Sequence, residues 1–144
     1  MSSLINKVLF TRAGFGLTAI RIVVGVIFAA HGAQKLFGMF GGYGIADTAQ
    51  YMESLGLAPG HLMAILAGGT EFFGGLALII GLLTRPAALG LTFLSLVAIF
   101  SVHIHNGLFM ANNGYEFALA LLGGSIAVLI EGAGKLSLDR AITD

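Results

Sequence analysis

The chain has no cysteine. That excludes structural disulfides, CxxC redox chemistry and thiolate metal sites, and it leaves the compartment open. Charge is scarce as well: 10% of the residues are Asp, Glu, Lys or Arg, against about 25% in soluble domains. Seven basic residues balance seven acidic ones, so there is no basic excess of the kind that marks nucleic-acid binding, and no nucleic-acid partner is expected. Proline occurs twice, at 59 and 86, leaving long stretches uninterrupted. What fills the chain instead is apolar: 57% of its 144 residues are hydrophobic, and the mean hydropathy is +0.95. Water is a poor solvent for such a surface. The 22 glycines fit this picture, because small residues let membrane helices approach closely.

At this length the chain is read as one domain over residues 1–144. Residues 1–13, with Lys7 and Arg12 among apolar neighbours, form a short interfacial segment. The apolar run that follows exceeds a signal-peptide core and further spans come after it. It is therefore read as an uncleaved helix over 15–37, not as a leader cleaved near Ala29 or Ala33. Glycines at 38, 41, 42 and 44 interrupt it. Ile45, Ala49, Met52 and Leu55 then recur at helical spacing, with Asp47, Gln50 and Glu53 opposite. That is a short amphipathic helix at the membrane surface, stopped by Gly56 and Pro59. Further spans are expected at 61–83, 86–103 and 115–130, separated by Thr84-Arg85-Pro86 and by the Asn-Gly pairs at 106–107 and 113–114. Lys7, Arg12, Arg85, Lys135 and Arg140 fall on one side, and positive residues stay inside. The fold class is thus an all-α membrane protein: an up-down bundle of four transmembrane helices with both termini cytoplasmic. The amphipathic helix lies in the first outer loop.

A charge at the centre of a membrane helix costs roughly 2.5–3.5 kcal/mol on insertion scales. Even so, the first span carries Arg21, His31 and Lys35, and the others carry Glu71, His103 and Glu116. His31 and Lys35 are four apart on one face, and Arg21 drifts only about 40° from Lys35 at 3.6 residues per turn. The expected pairs are Arg21 with Glu71, and Lys35 with Glu116 at matching depth. Small residues flank both carboxylates, Ala67, Gly68, Gly74 and Gly75 around one and Ala120, Gly123 and Ala127 around the other. They serve either tight helix packing or room for a ligand. His31, Glu71, His103 and Glu116 are the candidates for hydrogen bonding and proton handling, that is, the candidate catalytic set. Arg21, Lys35, His105 and Asn106 are the candidate ligand-binding set. A metal site at His103 and His105 would need an unwound helix, because residues two apart point about 200° away from each other. No metal is assigned; one inward-facing histidine is expected instead.

Arg21, His31-Gly32, Lys35-Leu36, Glu71 with Gly74-Gly75, and Gly81-Leu82-Leu83-Thr84-Arg85 form an ordered set. It continues through His103, Asn106-Gly107, Gly114-Tyr-Glu116 and Gly132-Ala-Gly134-Lys-Leu-Ser137-Leu-Asp139. In this order and spacing, over residues 15–140, the chain resembles the DoxX family. The resemblance implies a four-helix inner-membrane protein in a redox setting. The family takes its name from a subunit of an archaeal thiosulfate:quinone oxidoreductase, and other members are associated with oxidative-stress complexes. The expected function is an inner-membrane component of a quinone-linked or oxidative-stress redox system, such as an oxidoreductase subunit, that holds a quinone or small anionic substrate in a polar pocket among the helices. No flavin, haem or nucleotide motif is visible; the residues alone leave the cofactor open, and the resemblance implies quinone as a candidate. The lipid bilayer, a redox partner subunit and further copies of the chain are the expected partners. A small-molecule transporter or channel, or a structural membrane partner without ligand, are the alternatives from other classes.

Overall fold

The computed structural model describes residues 3–143 and is helical nearly throughout, with no strand among those residues. A short helix α1 (Ser3–Leu9) precedes α2 (Phe15–Phe37). Gly38 ends α2 in the left-handed region at φ 69°, with its N–H on the Gln34 carbonyl, a conformation that a Cβ would strain. Helix α3 (Gly44–Ser54) buries Thr48, Ala49 and Met52 and exposes Asp47, Gln50 and Glu53, as the amphipathic pattern predicts. Helix α4 (Gly60–Ile80) follows. It stops three residues before the expected boundary because Gly81 adopts φ 73° and caps it.

Helix α5 (Thr84–Ala98) continues into a π-helical turn (Ile99–His103) and a 3-10 turn (Ile104–Asn106). After a second 3-10 turn at Met110–Asn112 come α6 (Glu116–Glu131) and the short α7 (Leu138–Thr143). Among the described residues three segments are long and apolar enough to cross a membrane: Phe15–Phe37, Gly60–Ile80 and Thr84–Asn106. Their outward faces carry Phe73, Phe93 and Phe100, each about two-thirds exposed (66%, 66% and 65%). Such a surface is matched to lipid, where every backbone polar group is already satisfied within a helix.

Helix α2 packs most closely on α4, and α5 on α6, while α4 also meets α5 and α2 meets α6. The shared core is Leu17, Val24, Phe28, Leu78, Ala88, Leu91 and Val128. The α2–α4 approach is backbone-close. A Cβ on Gly25 would lie 2.8 Å from the Gly75 carbonyl oxygen, and one on Gly32 would run into the Phe72 backbone. Of the two uses open to the small residues near Glu71, Gly75 serves packing.

One end of the molecule is closed by polar side chains on backbone carbonyls. Arg21 is fully buried. Its Nε donates to Ala133 O (2.8 Å), Nη1 to Leu78 O (2.6 Å) and Ile79 O (3.0 Å), and Nη2 to Leu136 O (2.9 Å) and Lys135 O (3.4 Å). The expected Arg21–Glu71 pair is therefore wrong. The guanidinium instead satisfies the orphan carbonyls at the C-terminal end of α4 and ties down the segment 133–136. Asp139, also buried, accepts hydrogen bonds from Leu83 N (2.8 Å) and Thr84 N (2.9 Å) at the start of α5. A carboxylate there satisfies orphan donors and complements the helix dipole. Arg85 donates to Leu129 O, Val8 O and Phe10 O, and Arg140 to Ala13 O. Both terminal segments thus lie at the same end as the α4–α5 turn.

Candidate functional site

At the other end of the helices Lys35, near the last turn of α2, reaches across to Glu71 in the middle of α4. Nζ lies 2.8 Å from Oε2 and 3.0 Å from Oε1. The side chains are 25% and 13% exposed, so the pair is partly desolvated and each charge depends on the other. This corrects the expected Lys35–Glu116 pair. The ion pair borders a cavity of about 190 Å³ lined also by Phe28, His31, Leu94, Ser95, Ala98, His103, Phe117, Ala118 and Leu121. Four helical segments converge there: α2, α4, α5 with its π turn, and α6.

His31 lies one turn before Lys35 on the same face of α2. Its Nδ1 is 2.8 Å from Ile27 O, and its ring sits 5.9 Å, centroid to centroid, from Phe117. His103 reaches the cavity because of the π turn. On a straight α-helix Ser95 and His103, eight residues apart, would lie about 80° from one another. A π turn inserts about one residue into the helical phase, taking up roughly 100° and bringing both onto the cavity-facing side. His103 Nδ1 then sits 2.8 Å from Asn113 O.

The other candidates lie elsewhere. Arg21 is at the closed end. His105 is exposed and, two residues past His103, does not line the cavity. Asn106 Nδ2 donates to Asn113 O (3.0 Å), the carbonyl that also holds His103, and to Val102 O (3.3 Å). Asn106 therefore braces the loop behind a lining residue. Glu116, the first residue of α6, accepts from Met110 N at 2.5 Å and closes the 107–116 loop instead of facing the cavity. Among the described residues no three His, Asp or Glu side chains converge closely enough to hold a metal ion.

Phe28, Leu94, Ser95, Ala98, Phe117, Ala118 and Leu121 line the cavity without having been among the expected site residues. For Phe28 a signal existed, since it stands three residues before His31 on the same face. Phe117 forms a wall of the cavity beside His31. Nothing in the pattern of α5 announces the π turn that aligns Ser95 with His103.

What this arrangement offers chemically is a small, mostly apolar pocket with one ion pair and two imidazoles. Pockets that hold whole drug-sized ligands measure about 300–1,000 Å³. A volume of about 190 Å³ suits a single substituted ring or a small polar molecule, with any tail left in the bilayer.

Comparison with known proteins identifies the family. The DoxX family pattern matches residues 16–104. The inner membrane protein YqjF of Escherichia coli is 32% identical over 133 residues, covering 88% of this chain and 92% of its own. CatD of Bacillus subtilis, whose name provisionally calls it an oxidoreductase, is 32% identical and covers 86% of this chain and 84% of its own. The inner membrane protein YphA of Escherichia coli is 33% identical, covering 83% and 85%. No solved structure matches. With its three apolar helices and these relatives, the chain is a multi-pass protein of the inner membrane, and it belongs to the DoxX family.

Proposed function

We propose that this protein is the membrane component of a quinone-linked or oxidative-stress redox system, and that the cavity holds the head ring of a membrane quinone. The observation that carries the reading is the convergence of the Lys35–Glu71 pair with His31 and His103. It lies between the aromatic walls Phe28 and Phe117, in a space the size of one ring. When bound, a quinone supplies two-electron, two-proton chemistry. The side chains of this chain position it and handle its protons. Phe28 and Phe117 flank a planar ring. His31, which is exposed, and His103 meet its oxygens. The Lys35–Glu71 pair holds a proton-carrying ammonium beside a carboxylate within the site. A small anion suits the cavity less well, since it meets the Glu71 carboxylate as closely as the Lys35 ammonium. Electrons are exchanged with a redox partner subunit.

In the same reading α6 is the fourth crossing. At 16 residues it is about 24 Å long at 1.5 Å per residue, short of a roughly 30 Å hydrocarbon core. Its flanking loops and locally thinned lipid make up the difference. With four crossings both termini and the basic turn at Arg85 face the cytoplasm, and the cavity lies toward the outer side. The small residues left on the lipid face suit assembly with further copies of the chain.

The test is equilibrium binding of decylbenzoquinone and its hydroquinone to the purified protein in nanodiscs. One saturable site per chain for at least one of them is expected. Ala98→Phe, which fills the cavity, should abolish that site with helical content unchanged. Absence of saturable binding by either compound would reject the reading.

A further inference from the structure

The two cavity histidines are held in the same way. His31 Nδ1 is 2.8 Å from the Ile27 carbonyl oxygen, and His103 Nδ1 is 2.8 Å from the Asn113 carbonyl oxygen. A carbonyl oxygen accepts hydrogen bonds and has no proton to donate, so in both rings the proton sits on Nδ1. In a neutral imidazole the other nitrogen, Nε2, is then a bare lone pair. Neither Nε2 has a hydrogen-bond partner among the described residues.

The remaining polar atoms of the cavity lean the same way. Ser95 Oγ donates its proton to Leu91 O at 2.9 Å, leaving oxygen lone pairs. The Glu71 carboxylate only accepts. Lys35 is the single donor, and two of its three N–H groups already point at Glu71 Oε1 and Oε2. A ring held here thus meets acceptors on four side chains and one spare donor.

A quinone carries only acceptors, so at most one of its carbonyls finds a donor and the rest face lone pairs. A hydroquinone carries two O–H donors. We infer that the cavity is built for the reduced, hydroxylated member of the couple, whose O–H groups donate to Nε2 of His31 and Nε2 of His103. The inference rests on the quinone reading above and adds a direction to it: the site takes up hydroquinone and positions two bases at its hydroxyl protons. Sites that present buried groups to a ligand hydroxyl discriminate strongly against analogues lacking it, because those groups are then left unpaired. Here the rim at His31 is exposed, which softens the effect.

The test compares decylhydroquinone, decylbenzoquinone and the dimethyl ether of decylhydroquinone, each by equilibrium dialysis against the full-length protein in anaerobic nanodiscs. The hydroquinone is expected to bind at least roughly tenfold more tightly than either of the others. His31→Phe and His103→Phe should each narrow that gap. Nitrogen-15 NMR of histidine-labelled wild-type protein needs no variant to fold. It should show an unprotonated, pyridine-type Nε2 in both His31 and His103. Quinone binding as tight as hydroquinone binding, or a protonated pyrrole-type Nε2 in either ring, overturns the inference while leaving the quinone reading standing. Failure of all three compounds to bind overturns both.

Discussion

Lys35 and Glu71 meet as an ion pair, Nζ 2.8 Å from Oε2 and 3.0 Å from Oε1, and so join α2 to α4 directly beside the cavity. The contact is made possible by the glycines that bring the two helices together. Gly68 abuts Lys35 and Leu36, and a Cβ there would lie 3.1 Å from Lys35 Cβ.

Breaking this pair from one side leaves the other charge partly buried and alone. Lys35→Met or Glu71→Leu should each lower stability by about 1–3 kcal/mol. The double variant should recover much of that loss. Thermal melts of the four proteins in detergent form the cycle; strictly additive losses would show that the pair contributes nothing.

Arg21 should be independent of that cycle. Its guanidinium makes five hydrogen bonds to backbone carbonyls at the opposite end. Lysine keeps the charge but not the planar fork. Arg21→Lys should therefore destabilise by about 3 kcal/mol or more, with protease access to the segment 133–136 increased. Combined with Glu71→Gln, the losses should add. A coupling above about 0.5 kcal/mol would contradict the separation.

Asp139 serves α5 as its cap, accepting from Leu83 N and Thr84 N. Asp139→Ala should cost about 1–2 kcal/mol. Hydrogen exchange should report it locally, as faster amide exchange at residues 83 and 84 with α2 unaffected. Unchanged exchange there would show that another group takes over the cap.

The α2–α4 seam tolerates no added atom at Gly32, where a Cβ would collide with the Phe72 backbone. Gly32→Ala should destabilise by about 1–3 kcal/mol. It should also weaken ligand binding, because the shift moves Lys35 relative to Glu71. Gly123→Ala, in open space, is the control and should melt like the parent protein.

Orientation is tested by single cysteines in this cysteine-free chain. Leu136→Cys, 76% exposed at the end that carries the termini, should resist an impermeant thiol reagent in intact cells. Asn112→Cys, in the opposite loop, should label. Labelling at 136 from outside would reject cytoplasmic termini.

The class of protein and the position of the main helices could be read along the chain. Apolar runs, glycine stops and the amphipathic spacing of Ile45, Ala49, Met52 and Leu55 act within one helix, where period and capping are local properties. The ends of α2 were readable for that reason, and the presence of costly polar residues in the spans was readable from composition alone. Which polar residues meet was not. Arg21 lies about 40° from Lys35 on one helix, yet the two serve opposite ends. The return of residues 133–136 over the end of α4 offers Arg21 carbonyls that no helical wheel contains. Glu71 was left to Lys35 by the glycine-close α2–α4 packing, and Glu116 to the Met110 amide by a loop. The π turn at Ile99–His103 rotated His103 onto the face of Ser95 without a proline or glycine to mark it. Pairing, phase after an irregular turn and cavity shape are relations between segments, so they follow from how the helices pack and not from any one of them.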